Sequence, residues 1–170
     1  IEADKYELDL EEVSVKKTIN MAISMIQSRA MEAGVKISSK DICDDKFTII
    51  ADRRAFMQIM LNLLSNAVKF SNEGGKIHVE THQREDYLSL KIIDEGIGIP
   101  ANKLANITQP FEQVSSSYTR DHEGSGLGLA ITKELSEIHG GALRIESTVG
   151  QGTTVTVRLP YDAFKATQAQ

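Results

Sequence analysis

Apolar residues recur along the chain in two periods, and the switches between them lay out a fold. From Val13 onward, Val15, Ile19, Ala22, Ile23, Ile26 and Ala30 fall at helical spacing, and Gly34 stands where a left-handed residue would end that helix. Val35 to Ser39 and Phe47 to Ile50 read as short strands around a polar loop, and Tyr6 to Leu10 alternates like an edge strand. Asp52 is placed as the N-cap of a second helix whose Phe56, Ile59, Met60, Leu63, Leu64 and Ala67 form a broad apolar face. After the turn Asn72-Glu73-Gly74-Gly75, the segments Lys76 to Thr81 and Tyr87 to Ile93 alternate as a hairpin. The helical period returns from Gly126 to Ile138, with Leu127, Ala130, Ile131, Leu135 and Ile138 predicted inward and His139-Gly140-Gly141 closing the helix. Ala142 to Ser147 and Thr153 to Leu159 form a last hairpin around Val149-Gly150-Gln151-Gly152, ended by Pro160. One apolar sheet face and three amphipathic helices predict a two-layer α+β sandwich with a mixed, largely antiparallel sheet.

Composition narrows this picture. A chain of 170 residues, 41% hydrophobic and 25% charged, is expected to form one soluble domain with a real core. A net charge of −5 argues against a nucleic-acid groove while leaving room for a local phosphate site. The single cysteine, Cys43, has no internal partner for a disulfide, which favours a reducing, cytoplasmic setting, and it reads as a small half-buried apolar residue. No apolar run reaches membrane-spanning length, so no membrane contact is expected of this fragment. Residues 1–5 are expected to be the last turn of a preceding helix, 6–160 the domain, and 161–170 a C-terminal tail.

Two glycine-rich loops carry the candidate chemistry. Asp94-Glu95-Gly96-Ile97-Gly98-Ile99-Pro100 and Gly124-Ser125-Gly126-Leu127-Gly128-Leu129-Ala130 alternate glycine with single apolar residues, a pattern that lets backbone amides approach and turn toward phosphate oxygens. Asp94 ends an apolar strand, where a lone carboxylate can accept from an exocyclic amine such as that of adenine. The second loop enters a helix, whose free N–H groups favour an anion. On the second helix Asn62, Asn66 and Lys69 form a narrow stripe at the rim of the core. Asn oxygens suit a hydrated Mg²⁺ that bridges phosphates, and Lys69 can neutralise phosphate charge. Between the loops, Ala101 to Glu123 loses periodicity apart from a helical turn near Ala101 to Leu104. A stretch this long reads as a lid, with Ser115 to Tyr118 favouring mobility and Phe111 as an apolar peg.

These residues resemble the ATP-binding catalytic domain of bacterial sensor histidine kinases, within the superfamily of the Hsp90, gyrase and MutL ATPases. The resemblance runs from about Tyr6 to Pro160 and rests on motifs in family order. Asn62-Leu63-Leu64-Ser65-Asn66-Ala67-Val68-Lys69-Phe70 is similar to the N box, and Asp94 to Pro100 to the first glycine box. Pro110-Phe111-Glu112-Gln113 is similar to the phenylalanine box, Gly124 to Leu129 to the second glycine box, and Gly150-Gln151-Gly152-Thr153 to the closing glycine motif. The resemblance implies a Bergerat-type fold that binds ATP and Mg²⁺. Asp94 would read the adenine amine near Thr153, with Phe70, Gly96, Gly98, Ile99 and Phe111 around the nucleotide. Asn66 would ligate Mg²⁺ with support from Asn62. Lys69, Gly124, Ser125 and the amides of Gly126, Leu127, Gly128 and Leu129 would hold phosphates, with Arg120 and His122 as weaker candidates.

Asn62 also bears on the reaction. Hydrolysing relatives carry a Glu there that can act as a base, and Asn cannot deprotonate water, so the favoured reaction is γ-phosphoryl transfer from ATP to a histidine imidazole. None of His78, His82, His122 and His139 has the helical histidine-acid context of the family's acceptor, which is expected on a dimerisation domain before Ile1. The implied partners are that domain and, through the whole protein, a response regulator receiver domain. Thr108 stands where a second Phe is common, and Glu123 sets a negative charge beside the phosphate loop. The rival readings are a signalling module of the same fold without kinase activity, and an ATPase of the gyrase or Hsp90 kind.

Overall fold

A computed structural model describes residues 7–112 and 126–168 of the chain. Its elements run β1 (Leu10–Ser14), α1 (Val15–Glu32), β2 (Lys36–Asp41), β3 (Thr48–Asp52), α2 (Arg53–Phe70), β4 (Lys76–Gln83) and β5 (Tyr87–Asp94). They continue with α3 (Ala101–Leu104), α4 (Gly128–Ile138), β6 (Ala142–Thr148), β7 (Gly152–Pro160) and α5 (Ala163–Gln168). A five-stranded sheet has the order β2-β4-β5-β7-β6, with β2 parallel to β4 and the other pairs antiparallel. Helices α1, α2 and α4 lie side by side on it. The alternation in β4, β5 and β7 points Ile77, Val79, Leu88, Leu90, Ile92, Val157 and Leu159 at Phe56, Ile59, Met60 and Leu64 of α2, and these make the core. The other face of the sheet, with His78, Glu80 and Lys91, is polar and partly exposed.

The helix signals act locally. Asp52 caps α2, its Oδ1 accepting the backbone N–H groups of Arg54 at 2.9 Å and Ala55 at 3.0 Å. Burial works to raise the pKa of this carboxyl, but the bonds from the Ala55, Asp9 and Arg54 amides and the Arg54 charge bring it below the ordinary value. Gly34, at φ 66, stands just past α1 as expected.

Four expectations need correction. Among the described residues the first strand is Leu10–Ser14, starting where the expected one ends, because it is these residues that pair antiparallel with β3 and carry Val13 into the core; Tyr6 lies outside the described residues. β1 and β3 thereby make a separate two-stranded sheet, where the pattern suggested one sheet throughout. In α4, Ile131 is 37% exposed while Thr132 and Ser136 are fully buried. Each of those hydroxyls bonds back to its own helix, Thr132 to the Gly128 carbonyl at 2.8 Å and Ser136 to that of Thr132 at 2.7 Å, which removes the cost of burying them. Residues 161–168, expected in a tail, instead pack on the fold. Ala163 of α5 is buried, the Ile50 amide donates to the Tyr161 carbonyl at 2.8 Å, and the Tyr161 ring meets Phe47 edge-on at 5.5 Å. Among the described residues no helix is long and apolar enough to cross a membrane.

Candidate functional site

Strand β5 ends on Asp94, directly opposite Thr153 of β7. The Asp94 carboxyl is only 8% exposed. Its Oδ1 accepts the Gly96 amide at 3.0 Å and the Thr153 amide at 3.3 Å, whereas Oδ2 receives no hydrogen bond from the described residues. Burial pushes its pKa up to about 6 against the pull of those two amides. A half-satisfied buried carboxylate beside a glycine loop is an acceptor set for a ligand's N–H.

The loop after Asp94 is held by backbone on both sides. The Ile97 amide donates to the Phe70 carbonyl at the end of α2 at 3.1 Å, and the Gly150 amide in the β6–β7 turn donates to the Ile97 carbonyl at 2.8 Å. That closeness explains two of the glycines. A Cβ on Gly98, at φ +71, would lie 2.1 Å from the Thr148 carbonyl oxygen, and one on Gly152, at φ +107, would lie 1.9 Å from that of Asp94. Ser147 knits the same corner, accepting the Ile99 amide at 2.8 Å, donating to the Gly152 carbonyl at 2.9 Å and sharing a 2.9 Å bond with the Thr153 hydroxyl. Ser147 was not singled out in the sequence. The signal was there, since it continues the inward alternation of Leu143 and Ile145 but is polar.

The second part of the site lies where α2 meets α4. Asn62 donates through Nδ2 to the Gly128 carbonyl at 3.1 Å and to Thr132 Oγ1 at 3.4 Å, while its Oδ1 accepts from Gln58 at 2.7 Å. Asn66, one turn on, also faces this first turn of α4, because a Cβ on Gly128 would sit 3.7 Å from Asn66 Nδ2 in ordinary contact. The Lys69 ammonium lies 5.0 Å from the centre of the Phe70 ring. The N-cap position of α4 is Leu127, whose apolar side chain supplies no cap hydrogen bond, and a helix's opening turn favours an anion.

Asn62, Asn66 and the Gly128 turn are therefore brought together, as are Asp94, Gly96, Gly98, Ile99 and Thr153. Phe111 is 74% exposed, with φ 64, in the stretch after α3. Arg120, His122, Glu123, Gly124 and Ser125, and with them residues 113–123 of the expected lid, lie outside the described residues. Of the other histidines, His78 and His82 are on β4, and His139 is buried at the end of α4. Cys43 is half-buried, and burial raises its thiol pKa. No group of three or more His, Cys, Asp and Glu side chains among the described residues has metal-site geometry.

Fold and site define a two-layer sandwich with a buried acceptor at one end and a glycine-opened helix at the other. Residues 51–163 match the family described as histidine kinase-, DNA gyrase B- and HSP90-like ATPase. A sensor-like histidine kinase of Rhizobium meliloti (strain 1021) is 43% identical over 170 residues, all of this chain and 32% of the relative. Histidine protein kinase DivJ of Caulobacter vibrioides is 36% identical over 160 residues, 94% of this chain and 26% of the relative. Among solved structures, full-length ShkA in complex with AMPPNP superposes with a TM-score of 0.81 at 30% identity, covering 94% of this chain and 32% of that one. The mycobacterial sensor histidine kinase MprB gives a TM-score of 0.76 at 29% identity, covering 89% of this chain and 97% of that one. The chain belongs to the histidine kinase-, DNA gyrase B- and HSP90-like ATPase family, as a catalytic ATP-binding domain of the sensor histidine kinase type. It spans about a third or less of the curated relatives it matches.

Proposed function

We propose that this domain binds ATP with its adenine at Asp94 and its phosphates at the α2–α4 junction, and passes the γ-phosphoryl group to a histidine on a separate dimerisation domain. The observation that carries the reading is the Asp94 carboxylate, buried and bonded among the described residues through one oxygen only, at one end of a site whose other end is the Gly128 turn facing Asn62 and Asn66. Oδ2 accepts the adenine amine, while Thr153 and Ser147 keep the carboxylate and the glycine loop in place. Phe70, Gly96, Gly98, Ile99 and Phe111 contribute to the walls, and the amides from Gly126 to Leu129 and Lys69 meet the phosphates.

The donor set fits Mg²⁺, since Asn66, supported by Asn62, would offer a neutral oxygen of the kind a hard cation takes. The metal would supply charge neutralisation along the triphosphate. In the transfer, the bond from γ-phosphorus to the β,γ-bridging oxygen breaks and a bond from phosphorus to an imidazole nitrogen forms. ADP leaves, and the imidazole proton passes to solvent or to a base of the acceptor domain. Asn62 supports this route over hydrolysis because an amide cannot take a proton from water. The partners follow: the dimerisation domain carrying the acceptor, then a response regulator receiver domain, in a cytoplasmic setting.

Titration with a non-hydrolysable ATP analogue and Mg²⁺, followed by incubation of ATP with the isolated acceptor domain, tests the reading. Binding followed by a phosphohistidine is the expected result. Binding without transfer would mark a signalling module lacking kinase activity, and steady release of inorganic phosphate an ATPase.

A further inference from the structure

The nucleotide reading uses the first turn of α4 and leaves its last turn unexplained, although an imidazole is buried there. His139 is 1% exposed. Its Nε2 lies 3.1 Å from the backbone nitrogen of Asp52, and its Nδ1 2.6 Å from the Leu135 carbonyl oxygen. An amide N–H can only donate and a carbonyl can only accept, so Nε2 holds a lone pair and Nδ1 holds the hydrogen. Both ring nitrogens are in use, and the ring is neutral. Burial holds its pKa below the ordinary histidine value, outweighing the Leu135 bond and the Asp52 charge that act the other way.

Asp52 is the N-cap of α2, so this bond fastens the last turn of α4 to the start of the helix that carries Asn62, Asn66 and Lys69. At the other end of α4, Asn62 fastens the Gly128 turn to the middle of α2. Between these ties α4 packs on the core through Leu135, with Leu129 and Ile138 partly buried beside it, and the rest of its buried face is small and polar. The buried residues of α4 are Thr132, Leu135 and Ser136, and both hydroxyls bond within their own helix. A helix packed through small polar side chains slides and swivels more readily than one keyed by large apolar ones. The directional bonds at its two ends add to the packing of Leu135 in setting its orientation. With one tie cut, α4 can turn about the other, and the amides of its first turn turn with it.

We infer that His139 is a positioning residue for the phosphate end of the site, holding α4 to the N-cap of α2 so that the Gly128 turn faces Asn62 and Asn66. It touches no nucleotide, and the inference rests on the ATP reading above. The adenine end hangs on β5 and β7 and does not depend on this tie.

The test uses His139→Gln and His139→Asn. Gln carries an oxygen where Nε2 stands and can still accept from Asp52. Asn can replace only the Nδ1 contact with Leu135. Each variant is titrated with a non-hydrolysable ATP analogue plus Mg²⁺, and with adenosine, which has no phosphates. The Asn variant is expected to bind the analogue about five-fold more weakly and adenosine as the parent does, and the Gln variant to recover most of the loss. Equal analogue binding by parent and Asn variant, a parallel loss for adenosine, or no recovery by Gln overturns the inference. Amide exchange on the parent protein needs no variant. By linkage, the analogue and not adenosine should slow exchange at Asp52, and an unchanged Asp52 amide is a second result that overturns it. A parent that binds no analogue brings down the ATP reading, and this inference with it.

Discussion

At the Asp94 end of the site the close contacts among the described residues run mostly through backbone, from β5, β7, their loops and the end of α2, with hydroxyls on β6 and β7 beside them. At the Asn66 end they are side chains on two helices whose contact combines apolar packing with a few directional polar bonds. The first construction leaves no room for a Cβ at Gly98 or Gly152. The second leaves ordinary van der Waals space at Gly128. A site built this way recognises the base rigidly and meets the phosphates with an element that side chains can tune.

The largest expected effect strikes the backbone-built end. Gly152→Ala puts a methyl group on the Asp94 carbonyl at a φ that alanine rarely adopts, and is expected to lower unfolding free energy by about 3 kcal/mol or more in urea titrations. The matching change at the helix end, Gly128→Ala, meets only ordinary contacts and should leave the fold intact. If the two substitutions cost the same, the contrast drawn here is wrong.

Asp94→Asn comes next. Losing the charged acceptor should weaken binding of an ATP analogue about a hundred-fold, near 2.7 kcal/mol, by calorimetry. The same change should raise the melting temperature of the nucleotide-free protein at neutral pH. The sign follows from the carboxyl's raised pKa of about 6: its stabilising contribution is full below the unfolded value and is lost as pH rises through 6. The parent's affinity for the analogue should accordingly drop as pH falls below about 6, and Asp94→Asn should lack that step.

A smaller effect belongs to Asp52→Ala, which removes the α2 cap at a cost of about 1–2 kcal/mol. Because the Asp52 pKa is lowered on folding, this contribution is present above the unfolded carboxyl value and lost as pH falls through the folded one. The gap between parent and variant in chemical denaturation should close in acid. The smallest effect is expected of Ile131→Ser, on the exposed side of α4, which should change stability by no more than about 0.5 kcal/mol. A large loss there would mean that this side of α4 is held by apolar packing after all.

Much of the fold was legible because its causes are local. The alternation that makes β4 and β5, the spacing that makes α1 and α2, and the reach of the Asp52 side chain to amides two and three residues on all act within one or two turns of chain. The inward assignment of Ile131 failed for a physical reason. Apolar periodicity assumes that a buried helix face is apolar, and in α4 Thr132 and Ser136 satisfy their hydroxyls on their own helix and so can be buried instead.

The amino-acid order by itself determined the two-layer class, the positions of the glycine loops, and the strand end that presents Asp94. Only the tertiary structure decided that, among the described residues, Asp94 is bonded through one oxygen alone, that β1 and β3 form their own small sheet, that α5 docks on the fold, and that His139 reaches Asp52 across 87 residues. These outcomes turn on partners distant along the chain, and a hydrogen bond between such partners leaves no period or spacing in either stretch of sequence.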